Sequence, residues 1–166
     1  DMLTPNDAII IASGTTVLAF ARCIPPEAQL TVLTSAMNVA MALLNCQQVE
    51  VIQLGGIVRH TSSSVTGEYA LRMLENFSGT KLFLGVDGID LKYGLTTTNF
   101  MEASVNRAMI DAAQKIIVLT DSSKFGRRGF GKICELDAVD QIITDSGVSP
   151  KVVRELEELG IKVSIV

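Results

Sequence analysis

Residues 82–97 read LFLGVDGIDLKYGLTT, and the fold turns on what this stretch is. Leu82, Phe83 and Leu84 form an apolar run of strand length. Gly85 ends it, Asp87 and Asp90 follow with Gly88 between them, and Gly94 then introduces Thr96 and Thr97. Asp and Gly at this density make a turn. The same place, just past the carboxyl end of a buried strand, is also where open α/β sheets bind their ligands.

Working outward, apolar and β-branched runs of the same kind recur at 8–11, 30–33, 49–54, 116–119, 141–144 and 162–166. Helical patterns occupy most of the gaps. One spans 16–23 and is stopped by Pro25 and Pro26; others span 36–44 and 68–76. The longest, 99–114, carries Met101, Val105, Ala108, Met109 and Ala112 on one stripe. The last, 149–159, has Ser149 as N-cap, Pro150 at the first helical position and Gly160 at its stop. This alternation predicts a three-layer α/β fold, a mostly parallel sheet of about six or seven strands with helices on both faces.

Bulk properties agree. A chain of 166 residues, 48% hydrophobic and 19% charged, suits one globular domain over residues 1–166. The apolar mass is aliphatic and lacks Trp, which fits buried parallel strands. No apolar run is long enough to span a membrane, no signal-peptide pattern opens the chain, and a cytoplasmic location is expected. The chain starts at Asp1 rather than Met, which reads as a piece of a longer protein. Its net charge of −4, with basic residues grouped only at Lys124, Arg127, Arg128 and Lys132, is unlike that of a nucleic-acid binder. Cys23, Cys46 and Cys134 lack zinc-ligand spacing and are expected to be reduced, buried thiols. His60 has no partner at catalytic spacing and reads as a loop residue.

Because ligands bind at strand ends, the residues there are the candidates. Ser13, Gly14, Thr15 and Thr16 follow the first strand and open a helix, whose first-turn N–H groups favour an anion; plain N-capping is the alternative. Thr34 and Ser35 follow the second strand, again before a helix. Gly55, Gly56 and Arg59 follow the third, with serines at 62–64. Asp121, Ser122, Ser123 and Lys124 follow the fifth, and Lys124 is a point cation suited to a phosphate. Neither GxGxxG nor GxxxxGK[ST] is present, so neither nucleotide motif is indicated.

Taken together, the segments SGTT (13–16), LGGIVR (54–59), FLGVDGID (83–90), GLTT (94–97), Glu102, DSSKFG (121–126) and ITD (143–145) resemble the carboxyl-terminal sensor domain of DeoR-type sugar-operon regulators. The resemblance covers nearly the whole chain. It implies the fold of ribose-5-phosphate isomerase and coenzyme A transferases. It also implies a phosphorylated sugar or related metabolite as effector, and operator DNA held by an amino-terminal winged helix-turn-helix outside this chain. A regulator of that kind is expected to be a homo-oligomer, dimer or tetramer. On the family pattern the 13–16 loop cradles the phosphate with Lys124, while Asp87, Asp90 and Glu102 face sugar hydroxyls and Thr96 and Thr97 line the same pocket.

Two positions depart from that pattern: Ala12 stands where the family often has Asp, and Ser35 where it often has Asn. Related isomerases use a similar DG-x-D motif with a lysine between the second Asp and the Glu. Here only Lys92 lies in that interval. The reading is therefore a sensor without turnover or cofactor, with a sugar-phosphate isomerase as the alternative.

Overall fold

Strands that are apolar on both faces must be covered on both faces, and that requirement organises the molecule. The structure is a computed structural model and describes residues 2–166. In chain order the first half holds β1 (Asp7–Ile11), α1 (Thr15–Arg22), β2 (Leu30–Thr34), α2 (Met37–Leu43), β3 (Val49–Gln53), β4 (Ile57–Arg59), β5 (Ser64–Thr66) and α3 (Glu68–Leu74). The second half holds β6 (Lys81–Leu84), β7 (Gly88–Asp90), β8 (Gly94–Thr97), α4 (Phe100–Asp111), β9 (Ile116–Leu119), β10 (Gly131–Cys134), β11 (Gln141–Thr144), α5 (Pro150–Glu158) and β12 (Lys162–Ile165).

The seven apolar runs form one seven-stranded sheet in the order β12-β11-β9-β6-β1-β2-β3, and every pairing in it is parallel. Strand alternation sends its side chains into two cores. Ile9, Ile11, Phe83, Ile117 and Leu119 pack with Val17, Ala21, Val39 and Leu43 of α1 and α2. Ile10, Leu82, Leu84, Ile116 and Val118 pack with α3, α4 and α5 through Ala70, Leu74, Ala103, Val105, Met109 and Leu156. Leu82 and Leu84 are fully buried, so truncating either to Ala costs about 2–5 kcal/mol. The three-layer reading is thus the observed architecture.

The strand order carries a second consequence. From β1 the chain builds outward through β2 and β3, then returns to the other side of β1 and builds outward again through β6, β9, β11 and β12. The direction of winding reverses between β1 and β6. Beyond their carboxyl ends the crossovers diverge to opposite faces and leave a crevice.

Two small antiparallel sheets were not legible as strands. β4 and β5 pair as a hairpin, and β7, β8 and β10 form a three-stranded sheet. The stretch 85–97, read as a strand-end loop, therefore contains a hairpin. Its strands are three and four residues long, too short for a period-2 signal, and β10 joins them from a distant part of the chain. The thiols also differ from expectation: Cys46 is buried, but Cys134 is partly accessible and Cys23 is exposed, because Cys23 caps the carboxyl end of α1 at the surface. Among the described residues no helix is long and apolar enough to cross a membrane.

Candidate functional site

A cleft of about 330 Å³ opens where the winding reverses. Its floor comes from the ends of β1, β6 and β9: Ser13, Gly85, Val86, Leu119 and Thr120. Gly14 and Gly85 make this floor possible. A Cβ on Gly85 would stand 2.8 Å from the Ser13 carbonyl oxygen and 3.8 Å from Gly14 Cα, so only glycine lets the two strand ends come this close.

On one side stands the start of α1. Its N-cap is Gly14, in a positive-φ conformation (φ 131°) that disfavours other residues, and no side chain bonds to its first-turn N–H groups. The capping alternative for Ser13, Thr15 and Thr16 is therefore not realised. By contrast, Asn99 caps α4, accepting from the N–H groups of Met101 and Glu102, and Ser149 caps α5. The open donors and the positive end of the helix dipole face the cleft.

Lys124 enters from the end of β9 on a short 3₁₀ turn. Two carboxylates hold that turn. Asp121 accepts from the Ser123 N–H (2.9 Å), and Asp145 accepts from the N–H groups of Ser122 (2.7 Å) and Gly147 (2.8 Å). Hydrogen bonds from Ser123, against some desolvation, keep the Asp121 carboxyl below its usual range, and the Ser122 and Gly147 N–H groups do the same for Asp145. Both therefore stay ionised as acceptors, and the ITD segment positions Lys124 rather than lining the cleft.

The remaining wall is polar and acidic. Asp87 accepts from Thr97 Oγ1 (2.7 Å) and the Thr98 N–H (3.0 Å). Glu102, 9% exposed, accepts on Oε1 from Arg59 Nε (3.0 Å), Ser62 Oγ and Ser64 Oγ (3.5 Å). Arg59, Ser62 and Ser64 belong to the β4–β5 hairpin, so Glu102 ties that hairpin to α4 along the wall of the cleft.

Of the residues singled out in the sequence, the cleft gathers Ser13, Gly14, Thr15, Thr16, Arg59, Asp87, Thr97, Glu102 and Lys124. The others stand elsewhere. Asp90 accepts from the N–H groups of Lys92 (2.9 Å) and Tyr93 (2.8 Å) and pairs with Arg128 Nε (2.7 Å); it shapes the β7–β8 turn. The Arg128 guanidinium, which also lies over the Tyr93 ring, pulls this carboxyl far below its usual range. Thr96 is buried, accepting from the Gly129 N–H and donating to the Gly88 carbonyl. Thr34 accepts from the Ala36 N–H, and Ser35 is buried beside β5 through the Val65 N–H. Gly55 lies against Met73, and Gly56 lets the chain pass close to the Thr66 carbonyl. Ala12, fully buried, and Ser35 both fall outside the lining.

Of the serines noted at 62–64, Ser62 lines the cleft, and sequence reasoning missed Thr61, Thr98, Asn106 and Thr120, which line it too. For Asn106 a signal existed: it stands four residues after Glu102, on the same face of a helix. Among the described residues no group of three or more metal-ligating side chains occurs.

Residues 1–146 match the model of the DeoR C terminal sensor domain. The chain belongs to this family. One relative, from Escherichia coli O157:H7 and named for repression of an aga operon, is 40% identical over the full chain, which spans 62% of that protein. Another, the HTH-type transcriptional regulator YulB of Bacillus subtilis strain 168, is 38% identical over 97% of the chain and 62% of its own length. The chain thus spans about three fifths of these relatives. The fold matches a ribose-5-phosphate isomerase in complex with phospho-erythronic acid (TM-score 0.52, 12% identity, 75% of this chain and 48% of that one). It also matches eIF2B beta from Chaetomium thermophilum (TM-score 0.54, 14% identity, 84% and 44%). At such identities these two matches speak for the fold alone.

Proposed function

We propose that this chain is the effector-sensing part of a transcription regulator of a sugar operon, and that its cleft binds a phosphorylated sugar or a closely related metabolite. The observation that carries this reading is the uncapped amino terminus of α1 at the point where the winding reverses, with Lys124 entering the same cleft. Dipole, free N–H donors, hydroxyls and a lysine make an anion site suited to phosphate. Asp87, Glu102 and Thr97 supply acceptors and a hydroxyl for the polyol remainder. The regulator names of the sequence relatives support the sensor role.

Regulation would follow by linkage. A ligand that binds one arrangement of the protein or its oligomer better shifts the affinity for operator DNA, gripped by a segment outside this chain. The isomerase pattern has a lysine between the second Asp and the Glu. Lys92, the one lysine in that interval, is exposed on the β7–β8 turn and lies outside the cleft lining, which favours a sensor without turnover.

Thermal melting against inorganic phosphate, ribose 5-phosphate, other phosphosugars and the free sugars tests this. A ligand at a hundredfold excess over its dissociation constant stabilises by about 2.7 kcal/mol, roughly 5–10 °C for a chain of this size. The expected result is a shift with a phosphosugar, none with its free sugar, no product from ribose 5-phosphate, and loss of the shift in Lys124→Ala. No shift with any phosphorylated compound refutes the reading, and turnover makes the protein an enzyme.

A further inference from the structure

On the α4 wall of the cleft stands a buried amide, Asn106, to which the described residues offer no partner. Asn106 lies four residues beyond Glu102 on α4 and is only 6% exposed. The apolar face of α4, with Ala103, Val105 and Met109, meets the core. Glu102 and Asn106 form a separate polar stripe turned to the cleft. Glu102 is engaged by Arg59, Ser62 and Ser64. The Asn106 amide makes no hydrogen bond to the described residues, and its atoms open onto the cleft rather than being sealed within the protein. The side chain is held within the fold, yet its amide bonds to nothing there and faces the cleft, so neither packing nor internal hydrogen bonding accounts for an amide at this position.

Its position says which part of a ligand it meets. α1 packs on the Ile9, Ile11 and Phe83 face of the sheet and α4 on the Ile10, Leu82 and Leu84 face. The anion-binding loop and Asn106 therefore lie on opposite walls, across the ends of β1, β6 and β9. An anion held on the α1 side leaves its remainder against α4. An amide offers an acceptor oxygen and N–H donors at once, which matches a hydroxyl or a carbonyl and carries no charge to attract an ionic group.

We infer that Asn106 is a specificity-determining contact for a neutral hydroxyl or carbonyl of the ligand, remote from its phosphate. The inference rests on the sensor reading above, and the test separates the two. Wild type, Asn106→Ala, Asn106→Leu and Lys124→Ala are titrated calorimetrically with inorganic phosphate and with the phosphosugar giving the largest melting shift. The expected result is about a tenfold or greater loss of phosphosugar affinity in both Asn106 variants, inorganic phosphate binding unchanged, and Lys124→Ala weakened toward both. Asn106→Leu keeps the branched shape of the side chain, with the cleft beside it to take the larger methyl groups, and removes a partnerless amide, so without ligand it should melt at or above the wild-type temperature. A structural asparagine would not behave so. Wild-type phosphosugar affinity in the Asn106 variants, with Lys124→Ala defective, overturns the role of Asn106 and leaves the sensor reading standing. A ligand-free Asn106→Leu that melts well below wild type or does not fold overturns it as well. A wild-type chain that binds none of the compounds overturns both.

Discussion

Gly85→Ala perturbs the cleft through space alone. Gly85 does not have a positive φ, so alanine meets no backbone penalty there. Its Cβ would stand 2.8 Å from the Ser13 carbonyl oxygen, with Val17 Cγ1 at 3.7 Å and Gly14 Cα at 3.8 Å. Ordinary contact begins near 3.4 Å, so the strand ends must part by roughly half an ångström. The obstructing atom is backbone and cannot rotate away, so the movement falls on the loop that starts α1. Overpacking of this kind costs about 1–3 kcal/mol, which lowers Tm by roughly 3–10 °C in a chain of this length. Binding should suffer separately. Hydrogen-bond donors work within a few tenths of an ångström, and a site displaced by about half an ångström loses on the order of tenfold in affinity. Melting without ligand and titration with inorganic phosphate read the two effects. A variant with the wild-type melting temperature and phosphate affinity would refute the argument that the close approach of Gly14 and Gly85 builds the anion site.

Three further predictions concern residues that the structure places away from ligand contact. Asp90→Ala should lower the melting temperature by freeing the β7–β8 turn and Arg128, while the phosphosugar-induced shift stays at its wild-type size; loss of that shift would return Asp90 to the site. Asp7 is 7% exposed; burial acts to raise its pKa, but hydrogen bonds from Lys81, Thr4 and Thr80 outweigh it and hold it at about 2, against an ordinary 3.8. Because the folded value is the lower one, the contribution, on the order of 2 kcal/mol, is fully present above about pH 4 and lost as the pH falls toward 2. The wild type should accordingly be more stable than Asp7→Asn at pH 7, with the difference closing over that interval, and parallel curves would count against the pairing. Burial, helped by the nearby Asp137 and Glu135 carboxylates, pushes the Cys134 thiol up to about 12, so an alkylating reagent at pH 8 should label Cys23 well before Cys134.

Much of this architecture was legible in the chain. Runs such as 82–84 and 116–119 are apolar at every position, which marks strands covered on both faces. The helix at 149–159 carried its own start and stop signals in Ser149, Pro150 and Gly160. Ser13–Thr16, Asp87, Glu102 and Lys124 were also recoverable, because a strand followed by small, hydroxylic or charged residues is a local pattern. Asp90 and Thr96 could not be told from Asp87 and Thr97 in the same way. On a hairpin neighbouring residues point to opposite faces, and only the pairing of β8 with β7 and β10 fixes which of them face the cleft.

The sequence by itself determined the class of the fold, the seven strands of the main sheet and the polar character of their ends. Each depends on residues adjacent along one strand or helix, and local periodicity reports which faces of an element are apolar. Only the tertiary structure decided the strand order and the crevice between β1 and β6. It alone joined Arg59 to Glu102 across 43 residues of chain and left Asn106 without a partner. Those outcomes arise from packing between elements distant in sequence, where the position of one side chain is set by the shape and charge of many others, and no local pattern encodes that.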